Sequence, residues 1–286
     1  MTTPVPSSAV IDELPVPTIL IRPPKKWVPI DFSELWQYRE LLYFFVWRDV
    51  KIRYKQTALG FLWAIIQPLC LMVVFTLFFG GLAKIPSEGI PYPLFSFAAL
   101  IPWTLFAEGL TRSSTSMVSN ANIITKVYFP RLIIPLSSIL SPLVDFAIAF
   151  VILILMMAYF GFVPTIAIVL LPFFILLAIM TSLAVGLWLS ALNVKYRDFQ
   201  YTIPFLIQVW LFASPVVYPA SMLPQSWQLV YALNPMVGVI EGFRWALLGT
   251  NPPEAMILVS VVAVIVLLIG GLFYFKRMEQ YFADVV

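Results

Sequence analysis

The sequence predicts an all-α integral membrane protein: six transmembrane helices, preceded by an amphipathic interfacial helix and carrying a re-entrant helix pair between helices five and six. Three observations predict it. Of 286 residues, 61% are hydrophobic and only 11% charged, against about 25% charged in an ordinary soluble domain. Several apolar runs reach the ~20 residues needed to cross a hydrocarbon layer. Basic residues gather in alternate links between those runs.

Residues 1–30 are rich in Pro, Ser and Thr and lack a compact apolar stretch before a small-residue cleavage site, so they read as a flexible cytoplasmic tail and not a signal peptide. Residues 31–58 hold the interfacial helix. Trp36, Tyr43, Trp47, Val50 and Tyr54 recur at spacings that share one helical face, with Glu40, Arg48, Lys51 and Lys55 on the neighbouring face. Tryptophan and tyrosine favour the headgroup level, where a ring and a polar edge are both accommodated. Such a helix can serve as a plain anchor on anionic lipid, as a bed for a cytoplasmic partner, or as a guide for a lipid-borne substrate.

Residues 59–286 form the six-span domain. Apolar runs place the spans at Gly60 to Ala83, Tyr92 to Ser114, Leu132 to Phe160, Pro164 to Leu192, Ile203 to Pro219 and Glu254 to Phe275. Residues 220–250 are too apolar for a solvated loop yet are cut by Pro224 and Pro235. Broken helices at membrane depth are tolerated where protein or a water-filled cavity covers the freed backbone, which predicts a re-entrant pair. With the amino terminus inside, 15 of the 17 basic residues fall on the cytoplasmic side, leaving Lys84 and Arg244 outside. Both termini are therefore expected in the cytoplasm.

The chain has one cysteine, Cys70, and no histidine. That excludes an internal disulfide, thiolate or imidazole metal sites and every histidine-dependent nucleophile, so no catalytic residue and no metal site are expected. No Gly-x-x-x-x-Gly-Lys-Ser/Thr phosphate loop occurs, and any ATP-driven work must draw on another chain. Three sets of charges lie at membrane depth, where they usually face a partner or a cavity. Glu108 and Arg112 are four apart and predict a local ion pair. Asp145 has no basic residue one turn away and is expected to reach a polar group on another helix or a watery conduit. Glu241 and Arg244, three apart on the second re-entrant helix, can pair to brace it or can line an exit.

The run from Arg48 through Gly60 to Leu69, with Lys126-Val127-Tyr128-Phe129-Pro130-Arg131, Asn193-Val194-Lys195-Tyr196-Arg197-Asp198, Ser214-Pro215-Val216-Val217-Tyr218-Pro219, Asn234-Pro235-Met236 and Glu241-Gly242-Phe243-Arg244-Trp245, resembles the type-2 ABC exporter permeases that move O-antigen, capsular polysaccharide and teichoic acid. The resemblance extends from about Asp31 to the end. It implies a permease acting as a homodimer with two copies of a separate ATPase subunit, which holds ATP and Mg, in the cytoplasmic (inner) membrane. A lipid-linked glycan is the implied cargo, membrane lipid the surroundings, and nucleic acid no partner. It also implies an ATPase-coupling segment over 114–131, with Asn120, Lys126, Tyr128 and Arg131, and a second contact at Tyr196, Arg197 and Asp198. The polar run from Ser113 to Thr125 can form a short docking helix, and a solvated loop is the plainer reading of it.

A glycan path needs ring faces for sugars to slide along. The expected lining is Trp63, Phe75 and Phe78 in the first span, Trp103 in the second, and Trp210 and Tyr218 in the fifth, with Asp145. Glu241 and Arg244 mark the re-entrant exit region. Alternatives are a permease for teichoic acid or a smaller amphipathic cargo and, from another class, a proton-coupled carrier using Glu108 and Asp145, for which no internal repeat is found.

Overall fold

A computed structural model describes residues 32–55 and 60–285. The expected tail over 1–30 and residues 56–58 of the expected interfacial helix lie outside the described residues. Among the described residues every regular element is helical.

The segment expected to be interfacial is two helices, α1 (Phe32–Gln37) and α2 (Arg39–Lys55), with a turn at Tyr38 between them. It has two apolar stripes. Trp36, Tyr43 and Trp47 point outward, as suits rings at a headgroup surface. Leu35, Tyr38, Leu41, Leu42 and Phe45 turn the other way and pack against the bundle.

α3 (Leu62–Phe75) carries Pro68 inside it and continues as a π-helical stretch, Thr76–Leu82. α4 (Tyr92–Ser119) is the central post, with most of its length buried. After the short α5 (Ala121–Ile124) come α6 (Ile133–Leu140) and α7 (Leu143–Phe160), two halves of one span. Their break falls at Ser141-Pro142, where proline has no N–H to give the preceding turn. α8 (Leu171–Lys195) opens on a 3-10 turn, Ile166–Leu170. α9 (Phe199–Phe212), α10 (Gln225–Tyr231), α11 (Pro235–Leu248) and α12 (Glu254–Val285) complete the chain.

Among the described residues five helical stretches are long and apolar enough to cross a membrane: Leu62–Leu82, Tyr92–Ser119, Ile133–Phe160, Ile166–Lys195 and Ala255–Glu279. The chain is a multi-pass membrane protein. α9 is apolar but has 14 residues, about 21 Å at 1.5 Å per residue. It stops seven residues before the expected Pro219 because Pro215 cannot continue a helix and disfavours helical backbone at Ser214. The second span overruns its expected end at Ser114, reaching Ser119.

Two apolar cores hold the bundle. The larger joins α4, α7, α8 and α11 through Phe95, Phe106, Phe146, Phe174 and Phe243. The smaller lies at one end, here termed the basic end. It gathers Phe45 of α2, Met117 of α4, Ile124, Phe129, Ile133, Val194 of α8, and Phe275 and Phe282 of α12. Phe282 explains why α12 runs beyond the expected boundary at Phe275, since its ring packs on Phe275 with centroids 5.2 Å apart.

Candidate functional site

At the basic end the expected coupling residues divide into buttresses and exposed groups. The hydroxyls expected to begin a docking segment lie inside α4 and bond its own turns, Ser114 to the Thr111 carbonyl and Ser116 to the Ser113 carbonyl, both at 2.7 Å. Asn120 ends the helix. Its Nδ2 donates to the Ser116 carbonyl at 2.8 Å, and its Oδ1 accepts from Arg48 Nη2 at 2.9 Å. Arg48 also pairs with Asp49 at 2.8 Å, so α2 is tied to the end of α4. Arg131 donates to the Glu279 carbonyl of α12. Lys126 and Tyr128 instead stand out from the surface, Tyr128 with 74% of its area exposed and its hydroxyl 3.4 Å from Glu34. Partial burial, and then the Glu34 charge, raise the Tyr128 phenol above its usual pKa and keep it neutral. Tyr196, Arg197 and Asp198 are exposed where α8 passes to α9. Ile124, Phe129 and Val194 root both exposed stretches in the smaller core.

A charged cluster joins α2 to the spans. Arg53 pairs with Asp145 at 2.5 Å and with Glu108 at 3.5 Å, and Arg112 pairs with Glu108 at 3.2 Å. Tyr54 donates its hydroxyl to Asp145. Burial, and then that bond, push the Tyr54 phenol above its usual pKa. Asp145 lies in the first turn of α7, beside the kink near the middle of the third span. The i,i+4 pair of Glu108 and Arg112 forms as its spacing predicts. Sequence reasoning missed Arg53 and Tyr54, which lie far from Asp145 in the chain; their only local signal was a basic-aromatic step at the end of an interfacial helix.

The cluster borders a cavity of about 310 Å³ between α3, α4, α7 and α9. Trp63, Gln67, Trp103, Glu108, Asp145 and Leu211 are among its walls. A second cavity, about 630 Å³, lies along α3 against Trp63, Gln67, Cys70 and Val74. Of the expected path residues, Trp63, Trp103 and Asp145 thus meet at one cavity. Phe75 is buried against Phe79, while Phe78 faces outward. Trp210 packs on Phe106 and donates to Asn234 Oδ1 at 2.9 Å. Tyr218 and Tyr231 join hydroxyls at 2.9 Å, apart from either cavity.

At the far end three sequence motifs fold into one clamp. Asn234 caps α11 by accepting from the Met236 N–H at 3.1 Å and donates to the Ala213 carbonyl at 2.9 Å. Arg244 is wholly buried. It donates to the carbonyls of Val216 at 2.8 Å, Tyr218 at 3.4 Å and Phe95 at 3.4 Å, and to Glu241 Oε1 at 3.2 Å. Its guanidinium lies 3.5 Å from the Phe95 ring centroid. Glu241 accepts from the Ala220 N–H at 2.9 Å. Because segment 214–220 runs irregularly beside apolar helices, its carbonyls need donors from elsewhere; Arg244 supplies two of them and the Tyr92 hydroxyl a third, to Val217 at 2.7 Å. The i,i+3 ion pair was readable from spacing; the three carbonyl partners were not.

Apolar spans around a cavity, with an exposed platform at one end and a clamped hairpin of short helices at the other, define a membrane transporter subunit. The chain belongs to the ABC-2 type transporter family, whose model matches residues 40–248. It is similar to an O-antigen export system permease protein, RfbA, of Myxococcus xanthus, 32% identical over 255 residues covering 88% of this chain and 97% of the relative. An O-antigen export system permease protein RfbA of Klebsiella pneumoniae is 26% identical over 84% of this chain and 92% of its own. A polysialic acid transport protein, KpsM, of Escherichia coli is 25% identical over 81% and 91%.

Proposed function

We propose that this chain is the membrane-spanning subunit of an ATP-driven exporter that moves a lipid-linked polysaccharide, an O-antigen or similar polymer, across the inner membrane. The observation that carries this reading is its similarity, over more than four-fifths of the chain, to relatives in three organisms named for O-antigen export or polysialic acid transport.

Two copies work with two ATPase subunits that bind ATP and Mg, since this chain has no phosphate loop. α9 with residues 213–219 is the fifth of six crossings, and α10 with α11 forms the re-entrant pair. Both termini face the cytoplasm, in keeping with the 15-to-2 division of basic residues. The ATPase docks on the exposed platform of Lys126, Tyr128, Tyr196, Arg197 and Asp198, with Asn120 and Arg131 bracing it from behind. Closure of the ATPase pair pushes this platform. Because Ile124 and Phe129 share a core with α2, α8 and α12, the push reaches those helices together and opens a path between the two copies. Trp63, Trp103 and Asp145 border that path.

Deleting the chain in its native cell tests the reading. Lipid-linked polysaccharide is expected to accumulate on the cytoplasmic leaflet while the surface loses it, and re-expression is expected to restore the surface polymer. Unchanged surface polysaccharide in the deletion strain overturns it.

A further inference from the structure

α3 carries a polar group with no hydrogen-bonding partner among the described residues. Gln67 is exposed and sits about 8 Å along the axis from Leu62 at 1.5 Å per residue, within a span of mean hydropathy 2.2. Its carboxamide makes no hydrogen bond to any described residue. An amide at membrane depth that has lost water needs compensation, and the described residues give Gln67 no hydrogen-bonding partner, so its position suits a polar ligand entering the cavities it borders. The neighbouring Pro68 has no N–H to give the Ala64 carbonyl, which leaves a weakened turn at the same level.

The surroundings show what that partner can be. Trp63, Gln67, Cys70 and Val74 follow one another at spacings of four, three and four, so they share one face of α3, and all four border the larger cavity. Trp63 and Gln67 also border the smaller cavity, opposite Trp103. The indole of Trp63 is 53% exposed. A flat ring and an uncharged amide, one turn apart at the ridge between two cavities, match the two surfaces of a pyranose: its C–H face and its rim of hydroxyls, which both donate and accept. A neutral amide also suits a moving polymer, because each such bond is weak enough to be exchanged for the next.

We propose that Trp63 and Gln67 form a sugar-recognition step on α3, with the indole stacking on a ring face and the Gln67 carboxamide exchanging hydrogen bonds with sugar hydroxyls. The step rests on the export reading above and names the chemistry by which the glycan, not its lipid carrier, is felt.

Cys70 is the only cysteine in the chain and lies on the same face, so it reports occupancy. The full chain in nanodiscs is labelled at Cys70 with a water-soluble maleimide, in the presence of an undecaprenyl-diphosphate-linked oligosaccharide or of undecaprenyl diphosphate without sugar. The glycan lipid is expected to slow labelling and the sugar-free lipid to leave it unchanged. Gln67→Leu is expected to raise the half-protecting concentration about five- to tenfold, the loss of one net hydrogen bond. Gln67→Asn and Trp63→Phe are expected to keep most of the protection, and Trp63→Leu to lose it. Protection of Gln67→Leu at the parent concentration, equal protection of the parent by the sugar-free lipid, or no protection of the parent by either overturns the step. A change in oligomeric state in Gln67→Leu also overturns it, by assigning the amide to a contact between copies. A failed step alongside normal loss of surface polysaccharide in the deletion strain leaves the export reading standing; retained surface polysaccharide removes both.

Discussion

Replacing Arg244 with methionine removes the side chain that bonds two carbonyls of the irregular segment 214–220. The arginine is completely buried and bonds the carbonyls of Val216, Tyr218 and Phe95 as well as Glu241. Methionine fills much of the volume, so the cost is electrostatic. Glu241 keeps only its bond from the Ala220 N–H and becomes a buried carboxylate without a counter-charge. Removing one partner of a buried ion pair costs about 3–5 kcal/mol. The orphaned carbonyls add to this less than additively, because all the bonds share one group. The expected loss is therefore about 4 kcal/mol, measured as the unfolding free energy in bicelles. Adding Glu241→Gln to Arg244→Met is expected to recover a substantial part, since a neutral amide costs less to bury than a carboxylate. Arg244→Lys is expected to fall nearer to methionine than to the parent, because one ammonium cannot serve three separated carbonyls and a carboxylate. A loss below about 1 kcal/mol for Arg244→Met, or no recovery in the double variant, refutes the clamp.

Three further outcomes follow from the same geometry. Asp145→Asn breaks the Arg53–Asp145 ion pair; both groups of the broken pair are partly solvated, so the loss is expected at about 1–2 kcal/mol, and a double-mutant cycle with Arg53→Met checks the coupling. Tyr54 is held neutral beyond its ordinary pKa of 10.0. Its stabilisation is therefore complete below about pH 10 and fades as pH rises through the higher folded value, so the parent is expected to lose more alkaline stability than Tyr54→Phe in pH-dependent unfolding. At Gly242 an added Cβ would lie 2.1 Å from the Phe174 ring, and Gly242→Ala is expected to cost about 1–3 kcal/mol, partly recovered by Phe174→Leu and read as a melting-temperature shift.

Five of the six expected spans were legible because lipid imposes a simple length and hydropathy rule, and Leu62–Leu82 falls within two residues of its expected bounds. Helix interruptions were less so. Pro142 splits the third span and Pro215 ends α9 early, yet Pro68, Pro102 and Pro204 sit inside intact helices. A proline's effect depends on whether neighbouring groups re-satisfy the backbone, which composition does not reveal. Local charge pairs were readable because i,i+3 and i,i+4 spacing fixes them. The partners of Asp145 and the carbonyls around Arg244 come from distant segments and needed the packed bundle. Among the expected path residues, all but Asp145 chosen by aromaticity, Trp63 and Trp103 border one cavity while Phe75 is buried in packing. Gln67 had a signal that went unread, a lone amide in an apolar run.

The central claim, export of a lipid-linked polysaccharide by this chain with a separate ATPase, is tested most directly by reconstituting the permease with its partner in proteoliposomes. Glycan exposure on the opposite leaflet is then followed with a lectin that cannot cross the membrane. ATP-dependent appearance of the lipid-linked glycan, lost when the ATPase is omitted or its phosphate-loop lysine is replaced, is the expected result. Glycan translocation by this chain without the ATPase, or none in the intact complex with ATP, contradicts the account.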